Sequence, residues 1–157
     1  MNKKIEEIIK LLDLNKLDIE GGYFRETYRS AFKTNFTKSG SCATSIFYLI
    51  TSNSFSTWHK IKSDEIWFFM DGYPAEQTLL LPDGNVEQRI LGKNFSEQEI
   101  LQSIVPANAW QSTKLKKTDK NAYALFSVVA CPGFDYSDFT PGNIEELART
   151  WPKAFIV

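Results

Sequence analysis

His59 is the single histidine of this 157-residue chain, and Glu65 follows it six residues later. An imidazole and a carboxyl group can move protons to and from a bound molecule, and burial brings the pKa of such groups toward neutrality. A lone histidine beside a tryptophan is also typical of a buried, hydrogen-bonded structural residue. The two residues are therefore candidates for a catalytic acid/base pair or for a structural polar cluster.

Aromatic residues surround this pair at strand spacing. Side chains two positions apart on a strand point the same way, so His59 and Ile61 share one face. Glu65, Trp67 and Phe69 share another face. We therefore expect a pocket that is polar at one end and aromatic further along, in which Trp67 and Phe69 are either ligand contacts or core residues.

The chain offers few side chains that bind transition metals. Such sites use imidazole and thiolate, and this chain has one imidazole and two cysteines, Cys42 and Cys131, without metal-like spacing. The cysteines are expected to be reduced, buried thiols. We expect no metal and no other cofactor, with a weak metal site at His59 and Glu65 as the alternative.

Strand periodicity dominates the chain that must position these residues. A strand is predicted from Tyr23, after Gly21 and Gly22, and further strands follow at regular intervals. They span residues 43–51, 56–61, 65–70, 76–81, 86–91, 100–105, 110–114 and 123–129. Residues 82–85, Pro-Asp-Gly-Asn, predict a hairpin loop. Helical spacing predicts a short N-terminal helix that ends around residues 13–17 and another over 143–150. Residues 1–157 are expected to form one all-β domain, a barrel or sandwich.

The balance of charges and the absence of long apolar runs limit the kinds of partner that we expect for this chain. Eighteen Lys and Arg nearly balance nineteen Asp and Glu, which leaves no net field to attract nucleic acid or an anionic membrane. The N-terminal residues lack the apolar stretch of a secretory signal, and no run is long enough to cross a bilayer. We expect a cytoplasmic protein with neither a nucleic-acid nor a membrane partner.

Residues 59–72 resemble the first motif of the cupins. That motif places two histidines with one residue between them, then a glutamate after three or four residues and a glycine after six more. His59, Ile61, Glu65 and Gly72 stand at these positions, so the second histidine is replaced. The second cupin motif is a Pro-x-Gly turn with a histidine three residues later. Residues 106–111 resemble it, with Gln111 in place of that histidine.

Two further stretches, residues 20–30 and 130–139, resemble one branch of the cupin superfamily, the Cupin 5 group of small proteins long classed as a domain of unknown function. With residues 63–67 between them, the resemblance covers nearly the whole chain. It implies a cupin-type double-stranded β-helix, a jelly-roll barrel, with a short helix at each end. Phe68 stands where this branch often has another histidine.

The resemblance also implies where the site residues lie. The two motif hairpins of a cupin face each other, so His59, Glu65 and Gln111 are expected to converge at the mouth of one cavity. The cupin-like epimerases of keto-deoxyhexose nucleotides use a His base and a Tyr acid without metal. By this analogy of fold alone, the candidates for the acid are Tyr23, Tyr28 and Tyr48, and the strand phase leaves open which faces inward.

Arg25 has two interpretations. It either clamps an anionic group of a ligand or pairs with a carboxylate at a dimer seam. Cupins commonly dimerise through sheet faces and exchanged N-terminal strands, and the resemblance therefore implies a homodimer. Outward rings such as Phe24 or Tyr28 would otherwise be exposed.

The predicted site residues are compatible with three functions. The first is a metal-independent isomerase, epimerase or lyase that acts on a small polar, sugar-like molecule, with His59 as base and Glu65 as its partner. The second is a non-catalytic module that binds a small ligand in the same pocket. The third is a weak metal-dependent enzyme that uses His59 and Glu65.

Overall fold

Eleven β-strands and two α-helices are present in the computed structural model of the chain, which describes residues 3–36, 38, 40–117 and 119–155. The helices are α1 (Lys3–Leu11) and α2 (Ile144–Thr150). The strands are β1 (Asn15–Lys16), β2 (Tyr23–Arg29), β3 (Thr44–Thr51), β4 (Ser56–Lys60), β5 (Asp64–Gly72), β6 (Ala75–Leu80), β7 (Val86–Leu91), β8 (Gln102–Val105), β9 (Trp110–Leu115), β10 (Tyr123–Cys131) and β11 (Thr140–Pro141). Each predicted strand and both predicted helices are confirmed, with ends that differ by a few residues.

The strands form two sheets. One has six strands in the order β1-β2-β3-β10-β5-β8, and the other has five in the order β11-β4-β9-β6-β7. Neighbouring strands pair in antiparallel fashion, so non-sequential strands such as β3 and β10 lie side by side. Two packed antiparallel sheets in which strands distant in sequence are neighbours are consistent with the predicted jelly-roll barrel.

The hairpin between β6 and β7 shows why the turn residues were informative. Gly84 has a φ of 91°, a backbone conformation that favours glycine, and the backbone N–H of Leu81 donates to the carbonyl of Asn85 at 2.8 Å. Residues 82–85 therefore form the predicted hairpin loop between the antiparallel strands β6 and β7.

Helix α1 covers part of the outer face of the six-stranded sheet. Its single fully buried side chain, Ile5, packs against Leu49 and Tyr123, while its Lys and Glu residues face outward. Helix α2 begins at an Asn143 cap, whose side chain accepts the backbone N–H of Glu145 at 3.0 Å. No helix among the described residues is both long and apolar enough to pass through a bilayer.

An aromatic core lies between the sheets. Tyr48 and Phe126 each contact the ring of Trp67 edge to face, at centroid distances of 5.5 and 5.2 Å, and Phe69 contacts Phe126 at 5.8 Å. Such pairs stabilise an interior beyond the area they bury. The expectation of buried cysteines was wrong, because Cys42 is half-buried and Cys131, at the end of β10, is exposed.

Candidate functional site

A cavity of about 320 Å³ opens against the inner face of the six-stranded sheet. Strands β2, β3, β5 and β10 supply most of its wall, and residues 17–20 and 134–136 close its sides. Its polar and aromatic lining consists of Glu20, Glu26, Glu65, Asp135, Arg29, Phe24, Tyr48, Trp67, Phe134 and Tyr136. Most other lining side chains are aliphatic, which makes this a concave, mainly apolar site with a few polar groups.

The structure brings three of the predicted site residues to this cavity. Glu65, Trp67 and Tyr48 line it. His59 and Gln111 are fully buried and lie next to one another in the pairing of β4 with β9, behind the lining residues. The predicted convergence of histidine, carboxylate and amide is therefore present, although only the carboxylate reaches the cavity.

Gln111 and Glu65 connect the two sheets. Gln111 stands on β9 of the five-stranded sheet, and its side-chain Nε2–H donates to Oε2 of Glu65 on β5 of the other sheet. The remaining oxygen of Gln111, Oε1, is buried with no hydrogen-bond partner among the described residues. The amide thus holds the Glu65 carboxylate in place.

Glu65 has a perturbed acidity. Burial raises its pKa above the ordinary glutamate value, because the charged form loses contact with solvent. The charge of Glu20 raises this pKa further, whereas nearby His59 and the amide of Gln111 lower it. A carboxyl group with a raised pKa in a cavity wall is suited to accept and return a proton.

His59 is held on both sides of its ring. Nδ1 lies 2.8 Å from the carbonyl oxygen of Thr57, so this nitrogen carries a proton and donates. The ring stacks on Phe139 with centroids 5.3 Å apart, and Nε2 faces Oε2 of Glu20 at 3.6 Å. The histidine therefore reaches the cavity only through Glu20.

Glu20 begins the stretch of residues 20–30 that resembles the Cupin 5 group, and it was not predicted to be a site residue. Its backbone carbonyl accepts both the N–H and the hydroxyl of Thr57, each at 2.8 Å, and this fixes the loop against β4. Gly21 and Gly22 follow with φ of 100° and 74°. A β-carbon at Gly22 would lie 2.8 Å from the ring of Tyr48, so the glycine pair lets the loop close over that ring.

Of the three tyrosines considered as the acid, Tyr48 is the one that lines the cavity. Its hydroxyl donates to the carbonyl of Gly21 at 2.9 Å, and burial raises its pKa well above the ordinary value. Tyr23 packs instead with the cluster beneath α1, and Tyr28 is exposed. Since Tyr48 holds its proton firmly at neutral pH, it is better suited to hydrogen bonding than to proton transfer.

Besides Gln111, two more predicted ligand contacts lie outside the cavity lining. Phe69 is buried in the aromatic core beyond Trp67, because the cavity ends at the tryptophan. Arg25 is on the outer face of β2, where its guanidinium lies 5.7 Å from the centre of the Phe47 ring. Its neighbours Phe24 and Glu26 take the inward positions.

Arg29 enters the cavity through an irregularity that sequence alternation did not reveal. The pairing of β2 with β3 shifts between Glu26 and Tyr28, so Glu26 and Arg29 face Ile46 and Thr44 on the same side. The Arg29 guanidinium then pairs with the Glu26 carboxylate, Nε to Oε1 at 2.9 Å and Nη2 to Oε2 at 2.7 Å.

The residues present do not fit the metal centre that the cupin resemblance brings to mind. The donors near His59 are its one imidazole nitrogen that faces Glu20 and the carboxylates of Glu20 and Glu65. The other two carboxylates of the wall, Glu26 and Asp135, are bound to Arg29 and Ser137. Gln111 presents its N–H, not its oxygen, toward this space. Within residues 3–36, 38, 40–117 and 119–155, no group of three or more His, Cys, Asp or Glu side chains has the geometry to hold a metal ion.

This chain is similar to known proteins over most of its length. A family model described as Cupin superfamily (DUF985) matches residues 6–141. Uncharacterized protein YML079W of Saccharomyces cerevisiae is 32% identical in an alignment of 136 residues that covers 77% of this chain and 67% of the yeast protein.

Solved structures show the same architecture. A hypothetical protein from Leishmania major superposes with a TM-score of 0.84 at 30% identity, covering 94% of this chain and 92% of its own. Oxalate decarboxylase from Bacillus subtilis superposes with a TM-score of 0.58 at 16% identity over 89% of this chain and 35% of its own, a likeness of fold alone.

Proposed function

Because the chain belongs to the family described as Cupin superfamily (DUF985), we propose that its barrel cavity binds a small organic molecule and that Glu65 exchanges a proton with it. The reaction class is that of a metal-independent isomerase or epimerase. The single observation that carries the proposal is a carboxyl group of raised pKa in the wall of a mainly apolar cavity, oriented by a buried amide.

The proton transfer needs no other reactant. Ionised Glu65 removes a proton from a ligand carbon next to a carbonyl group, and the C–H electron pair moves into the resulting enolate. The protonated Glu65 then returns the proton to a different face or carbon, and the enolate electrons form the new C–H bond. No atom or electron is gained or lost. The raised pKa makes ionised Glu65 a stronger base for the first step, and the protonated group, although a weaker acid, transfers its proton in the second step to the far more basic enolate.

This proposal moves the role of base from His59 to Glu65. The ring of His59 is stacked on Phe139 and its free nitrogen faces Glu20, so a ligand in the cavity meets the two carboxylates first. His59 acts as a positioning residue, because its contact with Glu20 orients that side chain and its proximity lowers the pKa of Glu65.

Solvent deuterium incorporation tests the proposal. A panel of small ketones and aldehydes, including keto sugars and amino ketones, is incubated with the protein in deuterium oxide and followed by proton NMR. We expect exchange of a C–H proton next to the carbonyl in at least one compound, and loss of exchange in Glu65→Gln. Glu97→Gln, an equal charge change at an exposed site, is the matched control.

The non-catalytic alternative gives a different result in this experiment. A binding module would perturb the resonances of Trp67 with a ligand while that ligand kept its protons in deuterium oxide. That outcome would overturn the catalytic step, whereas a cavity that bound none of the compounds would overturn the proposal as a whole.

We also propose that the partner protein is a second copy of this chain. Phe68, Met70 and Ile104 are 37%, 48% and 54% exposed on the outer face of the six-stranded sheet, beside the area that α1 covers. Ile66 extends this apolar surface opposite Ile104. Contiguous exposed apolar patches of this kind are typical of association sites.

A further inference from the structure

The wall of the cavity is rich in negative charge. Four carboxylates line it, and Arg29 is the one Lys or Arg side chain among the lining residues. The carboxylates are Glu20, Glu26, Glu65 and Asp135. The formal charges of the wall sum to a negative value, so the cavity attracts positively charged molecules more than negatively charged ones.

Arg29 does not offset this charge for a ligand. Its guanidinium makes two hydrogen bonds to Glu26, and Nη1 and Nη2 both donate to the carbonyl of Phe134 at 3.3 Å. In a bidentate pair of this kind the guanidinium and the carboxylate bind each other and offset each other's charge. An anionic ligand therefore finds no uncommitted cation in the described wall.

The other three carboxylates have partners that lie outside the cavity lining or are already paired. Asp135 accepts the N–H and hydroxyl of Ser137, and these bonds, with the nearby charges of Lys38 and Arg29, lower its pKa. Glu65 accepts the amide of Gln111. Glu20 accepts the Ser56 hydroxyl at 3.3 Å and faces His59, which does not line the cavity. The charge of Glu20 already raises the pKa of Glu65, and a cation between the two carboxylates would relieve that repulsion.

Aromatic rings occupy much of the remaining wall. Phe24, Trp67, Phe134 and Tyr136 line the same space as the carboxylates. The face of an aromatic ring attracts cations, and combinations of rings and carboxylates recognise alkylammonium groups. An inorganic cation gains little from such rings, whereas an organic cation gains from both parts of the wall.

Trp67 supplies a second, independent sign of a ligand. Its ring is 1% exposed and lines the cavity, and its buried indole N–H makes no hydrogen bond of good geometry to the described residues. The indole does lie close enough to the Glu65 carboxylate to lower the pKa of that group. A buried donor without a well-placed acceptor is costly, and a ligand oxygen beside Trp67 and Glu65 satisfies it.

We propose that the ligand is a small organic cation that carries an oxygen acceptor, an alkylammonium with a hydroxyl or carbonyl group. The carboxylates and rings hold the ammonium group, and the indole N–H of Trp67 donates to the oxygen. This inference rests on the proposed function, because it names the ligand class of the same cavity.

Three probes of matched shape test the charge requirement: choline, its neutral isostere 3,3-dimethyl-1-butanol, and the anion 3,3-dimethylbutanoate. Binding is measured by titration calorimetry and by the indole N–H resonance of Trp67. We expect choline to bind at least about tenfold more tightly than the alcohol, and the anion to bind most weakly. Tenfold corresponds to about 1.4 kcal/mol.

Variants locate the effect in the cavity. Glu20→Gln should weaken choline by about fivefold or more and leave the alcohol within about twofold, while Glu97→Gln should change neither. Asp135→Asn, on the exposed loop, provides a second variant if Glu20→Gln does not fold, and it should also weaken choline selectively.

The outcomes separate this inference from the proposed function. If the neutral alcohol binds as tightly as choline, or the anion binds best, the charge inference is overturned while the cavity remains a binding site. If none of the three probes perturbs Trp67, the ligand class inferred here is wrong, whereas the proposed function fails only if the panel of ketones and aldehydes shows neither binding nor deuterium exchange.

Discussion

The side-chain amide of Gln111 donates a hydrogen bond to the carboxylate of Glu65, and this contact joins the two sheets of the barrel at the wall of the cavity. The residues are 46 positions apart in the chain. Since Glu65 is the group to which we assign proton exchange, the geometry of the site depends on this one contact.

Gln111→Leu should therefore lower the free energy of unfolding. The substitution leaves a carboxylate without its donor in a desolvated place, and removing one partner of such a bond costs about 1–3 kcal/mol. Urea denaturation measures the loss. Gln102→Leu, the same change at an exposed position of β8, should stay within about 0.5 kcal/mol of wild type. Equal losses in the two variants would show that the amide is not holding Glu65.

Glu65 should make the stability of the protein depend on pH. Its pKa is raised in the folded state, so between the ordinary and the raised pKa the folded chain holds a proton that the unfolded chain has released. Stability therefore falls as the pH rises through this window. Below the window both states are protonated, and Glu65 contributes no slope.

Glu65→Gln should remove this loss. The stability of the variant relative to wild type should increase as the pH rises through the same window and level off above it, as measured by urea denaturation at several pH values. Glu97→Gln is the control, since the carboxylate of Glu97 is exposed. A constant difference between Glu65→Gln and wild type at all pH values would contradict the assigned burial of the carboxylate.

Gly22→Ala should disturb the Glu20 loop. Gly22 and Gly84 both have positive φ, but a β-carbon at Gly22 meets the ring of Tyr48 whereas one at Gly84 meets nothing within 4 Å. Backbone strain of about 1–2 kcal/mol is common to both variants. The overpacking against Tyr48 adds about 1–3 kcal/mol in Gly22→Ala. Thermal unfolding compares the two, and equal losses would argue against close packing of the loop on Tyr48.

Phe68→Glu should convert the proposed dimer to monomers. A charge placed in an apolar contact between two copies is costly, whereas Phe36→Glu should leave the dimer unchanged, since Phe36 is 88% exposed in the connection between β2 and β3, strands that do not pair with β5. Light scattering after gel filtration reports the mass. A monomeric wild-type protein at high micromolar concentration, or a dimeric Phe68→Glu variant, would rule out this surface.

The sequence predicted the strands and helices well because alternation and helical spacing are local properties, as in β4 through β7. The convergence of His59, Glu65 and Gln111 was also foreseen, through the resemblance of two motifs. Trp67 was left as either core or ligand contact; it packs on Phe126 in the core and also lines the cavity, and its contact with a ligand stays a prediction.

What could not be foreseen depends on long-range geometry. Glu20 reaches the cavity because its loop bonds to Thr57, and Arg29 faces inward because of the shift in pairing after Glu26. The phase of Tyr48 was ambiguous because β3 is apolar on both faces, one against the cavity and the other beneath α1. Strict alternation alone does not reveal these features.

The acidity of Glu65 is the most direct test of the central claim that this carboxyl group is set up to exchange a proton in the cavity. NMR titration of the side-chain carboxyl carbons in 13C-labelled protein, with Glu65→Gln for assignment, measures the pKa. We expect a value above that of the exposed glutamates, which falls in Glu20→Gln and rises in Gln111→Leu. A pKa at or below that of the exposed glutamates would contradict the account.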